Sequence, residues 1–324
     1  MIKRLGIVAL LVALAIVGVF IFQSNSQKLQ TAQVSHTAVL VRVNAPFPAI
    51  DFAPFYVAKN KHWFEEALAR VGATPQYQAP SGSAPVAYDS LATNRVDMIM
   101  SSAVRPMISR AEGNDVKIAW LSCTLNSEVV VRKEAKINGI RDLKGKKVGT
   151  LTGGDTHIWL IRNLLKNGLP RDYVTFVNLS PPDGKAAFET GQIDAWAMFP
   201  PFSTQELVGG IAKVVPGVDA PVQVVLVSRG AFHREHPSQA AAVIGALERA
   251  KQWIITHPAE AQATVAKEAN LPIEVVRAAW PNLAWTATLN DAMASQLQSD
   301  ADFLASQGFM RAKINVRADL LSLK

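Results

Sequence analysis

DLKGKKVGTLTGGDTHIWLIRNLLKNGL, running from Asp142 to Leu169, puts a strand, a glycine turn and a helix into one stretch. Gly145-Lys146-Lys147-Val148-Gly149-Thr150 leads into the loop Leu151-Thr152-Gly153-Gly154. Asp155 opens a helix that ends near Gly168, with Pro170 beyond it. Gly153 and Gly154 allow the backbone to approach a ligand closely. A helix start carries unpaired N–H groups and a partial positive charge. Together they make an anion cradle. A plainer reading fits the same letters: Asp155 is a good N-cap, worth about 1 kcal/mol.

Working outward, the same alternation recurs. Upstream, Val39 to Val43 is a short apolar run fit for a buried strand. Pro46 and Pro48 make a loop, and Phe52 to Val71 reads as one helix stopped by Gly72. Pro75 to Gln78 and Val96 to Met100 read as strands, with a helix through Leu91 between them. Val104 to Glu112 reads as a helix, and Val116 to Leu121 and Glu128 to Arg132 as two separate strands. Downstream, Val174 to Leu179, Gly184 to Glu189 and Ile193 to Met198 read strand, helix, strand, and Val222 to Val227 is a further strand. The remainder is helical: Gln239 to Thr256, Pro258 to Glu268, Pro272 to Trp280 and Leu289 to Gln307. Strands alternating with helices argue for a parallel α/β sheet. Two such units in 324 residues predict two lobes, joined by strand-like crossovers near 123–130 and 216–224. The expected division is 39–124 plus 225–324 for one lobe and 125–224 for the other.

The N-terminus reads as an address. Lys3 and Arg4 precede an apolar run from Ile7 to Phe22, followed by Gln23-Ser24-Asn25-Ser26. Residues 1–26 are expected to be a secretory signal or an N-terminal membrane anchor, with 27–38 a flexible lead-in. The expected location is periplasmic or extracytoplasmic. Cys123 is the one cysteine, so no disulfide can form within the chain, and a buried small side chain is the reading for it. The net charge of +7 suits an anionic ligand, nucleic acid or an acidic surface. The basic residues form no tail or stripe, which argues against nucleic acid.

Four stretches carry a family likeness: FAPFYVAKNKHWFEEAL (Phe52 to Leu68), LATNRVDMIMSSAVRPMISRAEG (Leu91 to Gly113), the Asp142 to Leu169 run, and FETGQIDAWAMFPPFSTQEL (Phe188 to Leu207). In this order the chain resembles the substrate-binding proteins of ABC importers for sulfonates, taurine and nitrate, within the thiamine-precursor-binding-like superfamily. The resemblance implies a two-lobed type II periplasmic-binding fold, each lobe a mainly parallel sheet flanked by helices. It also implies a small anionic ligand between the lobes and an ABC permease as partner, with no cofactor, no metal, no nucleic acid and a monomeric chain.

By the same resemblance Thr156 holds the oxyanion, with the backbone of Gly153, Gly154 and Asp155 as donors. A carboxylate beside an anion is repulsive, so Asp155 either faces away as a cap or meets an amine on a zwitterion such as taurine. His157 either donates to the ligand or lies exposed. Ser101 and Ser102, at a strand end before a helix, are the first lobe's contribution, and Arg105 is close by. Phe47, Pro48, Ala49 and Asp51 form a loop that touches ligand in such proteins. Met198 and Phe199 are the pocket-wall candidates of the second lobe, whereas Trp196 reads as core. Pro200 stands where relatives carry an acidic residue.

Catalytic motifs are missing. His233-Arg234-Glu235-His236 lacks the zinc-protease spacing, and neither a Gly-x-Ser-x-Gly elbow nor a phosphate-binding loop occurs. The expectation is therefore a binding protein and not an enzyme. The alternatives are an enzyme on the same fold, of the thiamine-pyrimidine-synthase or lyase kind, and a membrane-tethered sensor domain.

Overall fold

The computed structural model describes residues 38–80 and 84–321. The expected signal or anchor and most of the lead-in lie outside the described residues. The chain begins with β1 (Val39–Asn44), α1 (Ala53–Asn60), α2 (Trp63–Ala69), β2 (Ala73–Tyr77), α3 (Ala84–Ala92), β3 (Met98–Ser102) and α4 (Val104–Ala111). The expected single helix from Phe52 to Val71 is in fact two. His62 takes a left-handed conformation, φ 57°, which no α-helix can continue. Both pieces still bury aromatic or aliphatic side chains, Phe55 in α1 and Phe64 and Leu68 in α2.

Next comes β4 (Val116–Arg132), followed by β5 (Lys147–Thr150), α5 (Asp155–Lys166), β6 (Thr175–Asn178), α6 (Pro181–Glu189), β7 (Ala195–Met198), α7 (Phe202–Val208), β8 (Ala212–Val214) and β9 (Ala220–Arg229). The two strands read on either side of residue 125 are one. Polar Thr124, Asn126 and Ser127 resemble a break, yet they pair with Gln223, Pro221 and Ala220 of β9. Irregular steps near Ile118/Trp120 and Leu121/Cys123 bend the strand without ending it. The chain closes with α8 (Gly230–Glu235), α9 (Pro237–Thr256), α10 (Pro258–Glu268), α11 (Ile273–Ala279), β10 (Leu283–Ala284) and α12 (Asp291–Ser306).

The strands run in the order β2-β1-β3-β9-β4-β7-β5-β6. β1 is parallel to β3, and β5 is parallel to both β6 and β7. The centre differs: β3 with β9, β9 with β4, and β4 with β7 are all antiparallel. The sheet is therefore mixed, not the mainly parallel one expected. The cause is at its centre, where β4 and β9 lie side by side in opposite directions along most of their length.

Period-two alternation fills both faces of the second sheet. Val129, Val131, Val148, Ala195 and Ala197 pack with Leu160 and Leu164 of α5 on one face. Val130, Trp196 and Met198 pack with Phe188 on the other. Among the C-terminal helices, α9 ties to α2 through Arg249–Glu66 at 2.7 Å, and α10 ties to α1 through Lys59–Glu268 at 2.8 Å. α12 instead reaches α5: Arg162 and Asp300 pair at 2.6 Å, and Trp159 stacks on Phe303 at 6.2 Å.

Candidate functional site

Two strand ends set the site. β3 finishes at Ser101-Ser102 and turns into α4, and β5 finishes at Thr150 and turns into α5. Alternation sends the two serines to opposite faces of β3. The Ser101 hydroxyl lies 3.1 Å from the Tyr88 hydroxyl of α3. Ser102 Oγ donates to Asp155 Oδ2 at 2.8 Å, which joins the end of β3 to the start of α5. Lengthwise, a ligand crevice lies outside the carboxyl ends of strands in such sheets.

The glycine turn is bonded largely to itself. Thr152 N donates to Asn178 Oδ1 at 3.0 Å, and Gly154 N donates to the Leu151 carbonyl at 3.0 Å. Gly153, at φ +77°, donates its N–H to His157 Nδ1 at 3.2 Å. The donors left to an anion here are the first-turn N–H groups of α5, which have no carbonyl partner four residues back. Thr156 lies beneath them, buried, its hydroxyl 2.8 Å from that of Thr150.

His157 points elsewhere. Two helical residues differ by about 200° around the axis, so His157 faces away from Asp155. Its ring meets Phe176 edge-on at 4.6 Å and Phe309 at 5.9 Å. Burial, and then the Arg171 charge, push its pKa down, and acceptance at Nδ1 puts the proton of the neutral ring on Nε2. The structure therefore brings Ser102, Asp155 and the start of α5 together, and it leaves His157 outside that group.

Asp155 is not alone. Asp51, in the loop after β1, is 7% exposed. Burial drives its pKa up to about 7, its own backbone N–H opposes this, and the negative charge of Asp155 adds to the rise. Burial likewise raises Asp155, against the pull of Ser102, its backbone and Arg105. Oδ1 of Asp51 and Oδ1 of Asp155 are both buried with no hydrogen-bond partner among the described residues. Arg105 in α4 is half-buried and near enough to Asp155 and Tyr88 to act on both through its charge. Asn44, ending β1 beside Ile99 of β3, is 2% exposed and has an unpartnered Oδ1 as well. Sequence reading passed over Tyr88 and Asn44. Asn44 at the last position of a strand was the available signal, and Tyr88 offered none.

An aromatic contact lies beside this group. Phe47, in the loop after β1, lies 6.5 Å from Phe199, just past the end of β7. Phe52 backs Phe47 at 5.3 Å and Phe202 backs Phe199 at 5.7 Å. Tyr56 fixes the loop, donating to the Phe47 carbonyl at 3.4 Å and accepting from Ala49 N at 3.3 Å. Pro48 is exposed at the rim. Met198 is 1% exposed and belongs to the Trp196 core. Cys123 is fully buried, and burial followed by the Asp51 charge raises its thiol.

The NMT1/THI5-like profile matches residues 49–261, about two thirds of the chain, a span that includes Asp51, Ser102, Asp155 and Phe199. The chain belongs to the NMT1/THI5-like family. A protein of Bacillus subtilis (strain 168) named "Putative aliphatic sulfonates-binding protein" is 26% identical over 274 residues, covering 82% of this chain and 81% of the relative. The periplasmic aliphatic sulphonate binding protein SsuA of Escherichia coli superposes with a TM-score of 0.75 at 20% identity, over 87% of this chain and 97% of that one. The periplasmic-binding-protein type of fold and the likeness to ABC-importer binding proteins are thus both found. One expectation is corrected. The desulfurization enzyme DSZB shares the fold, with a TM-score of 0.64 at 16% identity over 86% of this chain and 95% of that one. The lack of catalytic sequence motifs therefore does not exclude an enzyme, since this fold also carries catalysis.

Proposed function

We propose that this NMT1/THI5-like chain is the exported solute-binding component of an ABC importer, and that it captures a small organic acid of the sulfonate class between its lobes. One observation carries the reading. The polar pair Ser102–Asp155 and the aromatic pair Phe47–Phe199 each join a residue that precedes β4 to one that lies between β4 and β9 in the chain. A molecule held between them touches both lobes, so its binding favours the closed arrangement. The first-turn N–H groups of α5 and the Arg105 guanidinium supply charge-assisted donors to an acid group. Phe47 and Phe199 give an organic substituent an apolar wall. The Bacillus relative's assignment to aliphatic sulfonates supports the same chemistry.

In this reading residues 39–124 with most of 225–324 form the lobe that carries Ser102, and 125–224 form the lobe that carries Asp155. β4 and β9 are the paired crossovers about which they close. Residues 1–26 export the chain or anchor it at the membrane, and the closed form docks as a monomer on a membrane permease. The test is a thermal-shift panel on the full-length chain with alkanesulfonates, taurine, nitrate, carboxylates and thiamine precursors. A ligand that binds only the folded state raises the melting temperature, by about 2.7 kcal/mol of stability at a hundred times its dissociation constant. A clear rise with a sulfonate supports the proposal. Silence from every sulfonate, or conversion of one to product, overturns it.

A further inference from the structure

We propose that His157 is a positioning residue for anion capture: its bond to Gly153 holds the glycine turn in the shape that leaves the first-turn N–H groups of α5 free, and it lets the turn go when the ring takes up a proton. The inference rests on the binding-protein reading above and deepens it. It starts at the turn. Gly153 is left-handed at φ +77°, and Gly154, the N-cap of α5, brings no side chain to hold its own helix start. Glycine adopts several backbone conformations at little cost, so two in succession fix nothing by themselves. An N-cap serine or threonine would fix the shape by taking one of the first-turn donors, and an anion needs those donors.

His157 fixes it from the other side. It is the third residue of α5, the position from which a capping-box side chain reaches back to the chain ahead of the helix. Here the bond goes one residue past the N-cap: Nδ1 accepts from Gly153 N at 3.2 Å and sets the plane of the peptide between Thr152 and Gly153. Thr152 N donates to Asn178 Oδ1 at 3.0 Å, and Gly154 N to the Leu151 carbonyl at 3.0 Å. Three successive N–H groups are thus anchored, and of their three acceptors only the imidazole titrates. The ring is 7% exposed and closed in by Phe176 at 4.6 Å and Phe309 at 5.9 Å, which keeps Nδ1 aimed at the turn.

Protonation reverses the bond. An imidazolium carries N–H at both nitrogens and donates from each. Two donors would then face each other where the bond now runs, and either the turn opens or the ring moves. Burial opposes the charge first, and Arg171, facing the ring from the segment before β6, opposes it next. Phe176 of β6 and Phe309 after α12 bring no charge. On the ring's own helix, the start of α5 disfavours a cation, and Asp155 stands on another face. The closed turn therefore holds above the ordinary histidine value of 6.5 and is lost as the pH falls through the lowered one.

The experiment compares the full-length chain with two variants. His157→Phe keeps a ring between Phe176 and Phe309 and removes the acceptor. His157→Asn restores an oxygen acceptor close to the place of Nδ1 and cannot titrate. The first readout needs no ligand: NMR of the unaltered chain should show the ring protonated at Nε2 near neutral pH, and the Gly153 amide should shift with the same midpoint as the ring. The second is isothermal titration with propane-1-sulfonate at about pH 7.5 and about pH 4.5, on either side of the histidine range. Asp51 and Asp155 also titrate in this window, so each affinity is divided by that of His157→Phe at the same pH. The unaltered chain should bind about ten-fold tighter than His157→Phe at the higher pH, the size of one exchanged hydrogen bond, and lose that advantage at the lower. His157→Asn should keep most of it at both. A Gly153 amide that ignores the ring's titration overturns the proposal. So does an advantage that grows at low pH, because an imidazolium acting as a plain charge attracts the anion. If propane-1-sulfonate binds none of the three chains at either pH, the sulfonate reading fails, while a Gly153 amide that follows the ring still supports the hold of His157 on the turn.

Discussion

Ser102 Oγ lies 2.8 Å from Asp155 Oδ2, and this bond ties the end of β3 to the first residue of α5. Ser102→Ala removes the donor and leaves Asp155 with a second unpaired oxygen. The loss should be about 1–3 kcal/mol of stability near neutral pH. The Asp155 pKa, already raised by burial, should climb further, because one of the groups holding it down is gone. Urea unfolding measures the first effect and carboxyl NMR titration the second. An unchanged Asp155 titration would mean that the bond does not persist in solution.

Asp51 makes stability depend on pH in an uncommon direction. Its folded pKa is about 7, against an ordinary value of 3.8. The folded state therefore holds a proton that the unfolded state gives up between these values. Its contribution is complete below pH 3.8 and is lost as pH rises through about 7. A shift near three units corresponds to at most about 4 kcal/mol. The groups that feel or answer this charge are Asp155, Tyr56 and Cys123. Asp51→Asn should thus be more stable than the unaltered chain at pH 8 and close to it at pH 4.5, by denaturant melts at both.

How much of this was legible in the sequence depends on range. The turn at Gly153 and the helix from Asp155 are local patterns, and they appear where the letters put them. β4 was not legible as one strand, since Thr124 to Ser127 look polar until β9 covers them. His62 ended a helix that hydrophobic periodicity carried onward. In the site, Ser102 and Asp155 were both recognisable, but not their contact, because 53 residues separate them. His157 illustrates the converse. It adjoins Thr156 in sequence, and a helical turn of about 100° per residue carries it to Phe176 instead.

Gly184 is where α6 meets the core. A Cβ there would stand 2.5 Å from Trp196 Nε1 and 3.0 Å from Trp196 Cε2. Trp196 is fully buried, with Phe188 stacked on it at 6.1 Å, so the indole has little room to yield. Gly184→Ala should cost about 1–3 kcal/mol by overpacking, despite the better helix propensity of alanine. A denaturation midpoint that rises would show that α6 shifts outward at no cost.

α12 is held to α5 by Arg162 and Asp300 at 2.6 Å. Asp300 is 2% exposed, and burial keeps its pKa above the ordinary range even against Arg162 and Gln296. Arg162 is a third exposed, so the pair is screened from one side. Arg162→Met should lie at or below the low end of the roughly 3–5 kcal/mol expected when a buried charge loses its partner. Asp300→Asn should cost less, since it removes the buried charge itself. Equal losses in the two variants by urea unfolding would contradict this order.

Phe47, after β1, and Phe199, after β7, have ring centroids 6.5 Å apart, and in the proposed function they wall the ligand. Their rings are tilted by 42°, within the range where aromatic pairs attract beyond their buried area. Each has support on its own side, Phe52 for one and Phe202 for the other, so removing one ring should not collapse its neighbour. That independence makes the pair suitable for a double-mutant cycle. Phe47→Ala and Phe199→Ala should each weaken binding of the best ligand from the thermal-shift panel. The double variant should fall short of the summed losses by about 0.5–1.5 kcal/mol, the part of the energy the rings share with each other and the ligand. Strict additivity would place the rings in separate environments when ligand is bound, and the two would then not form one wall.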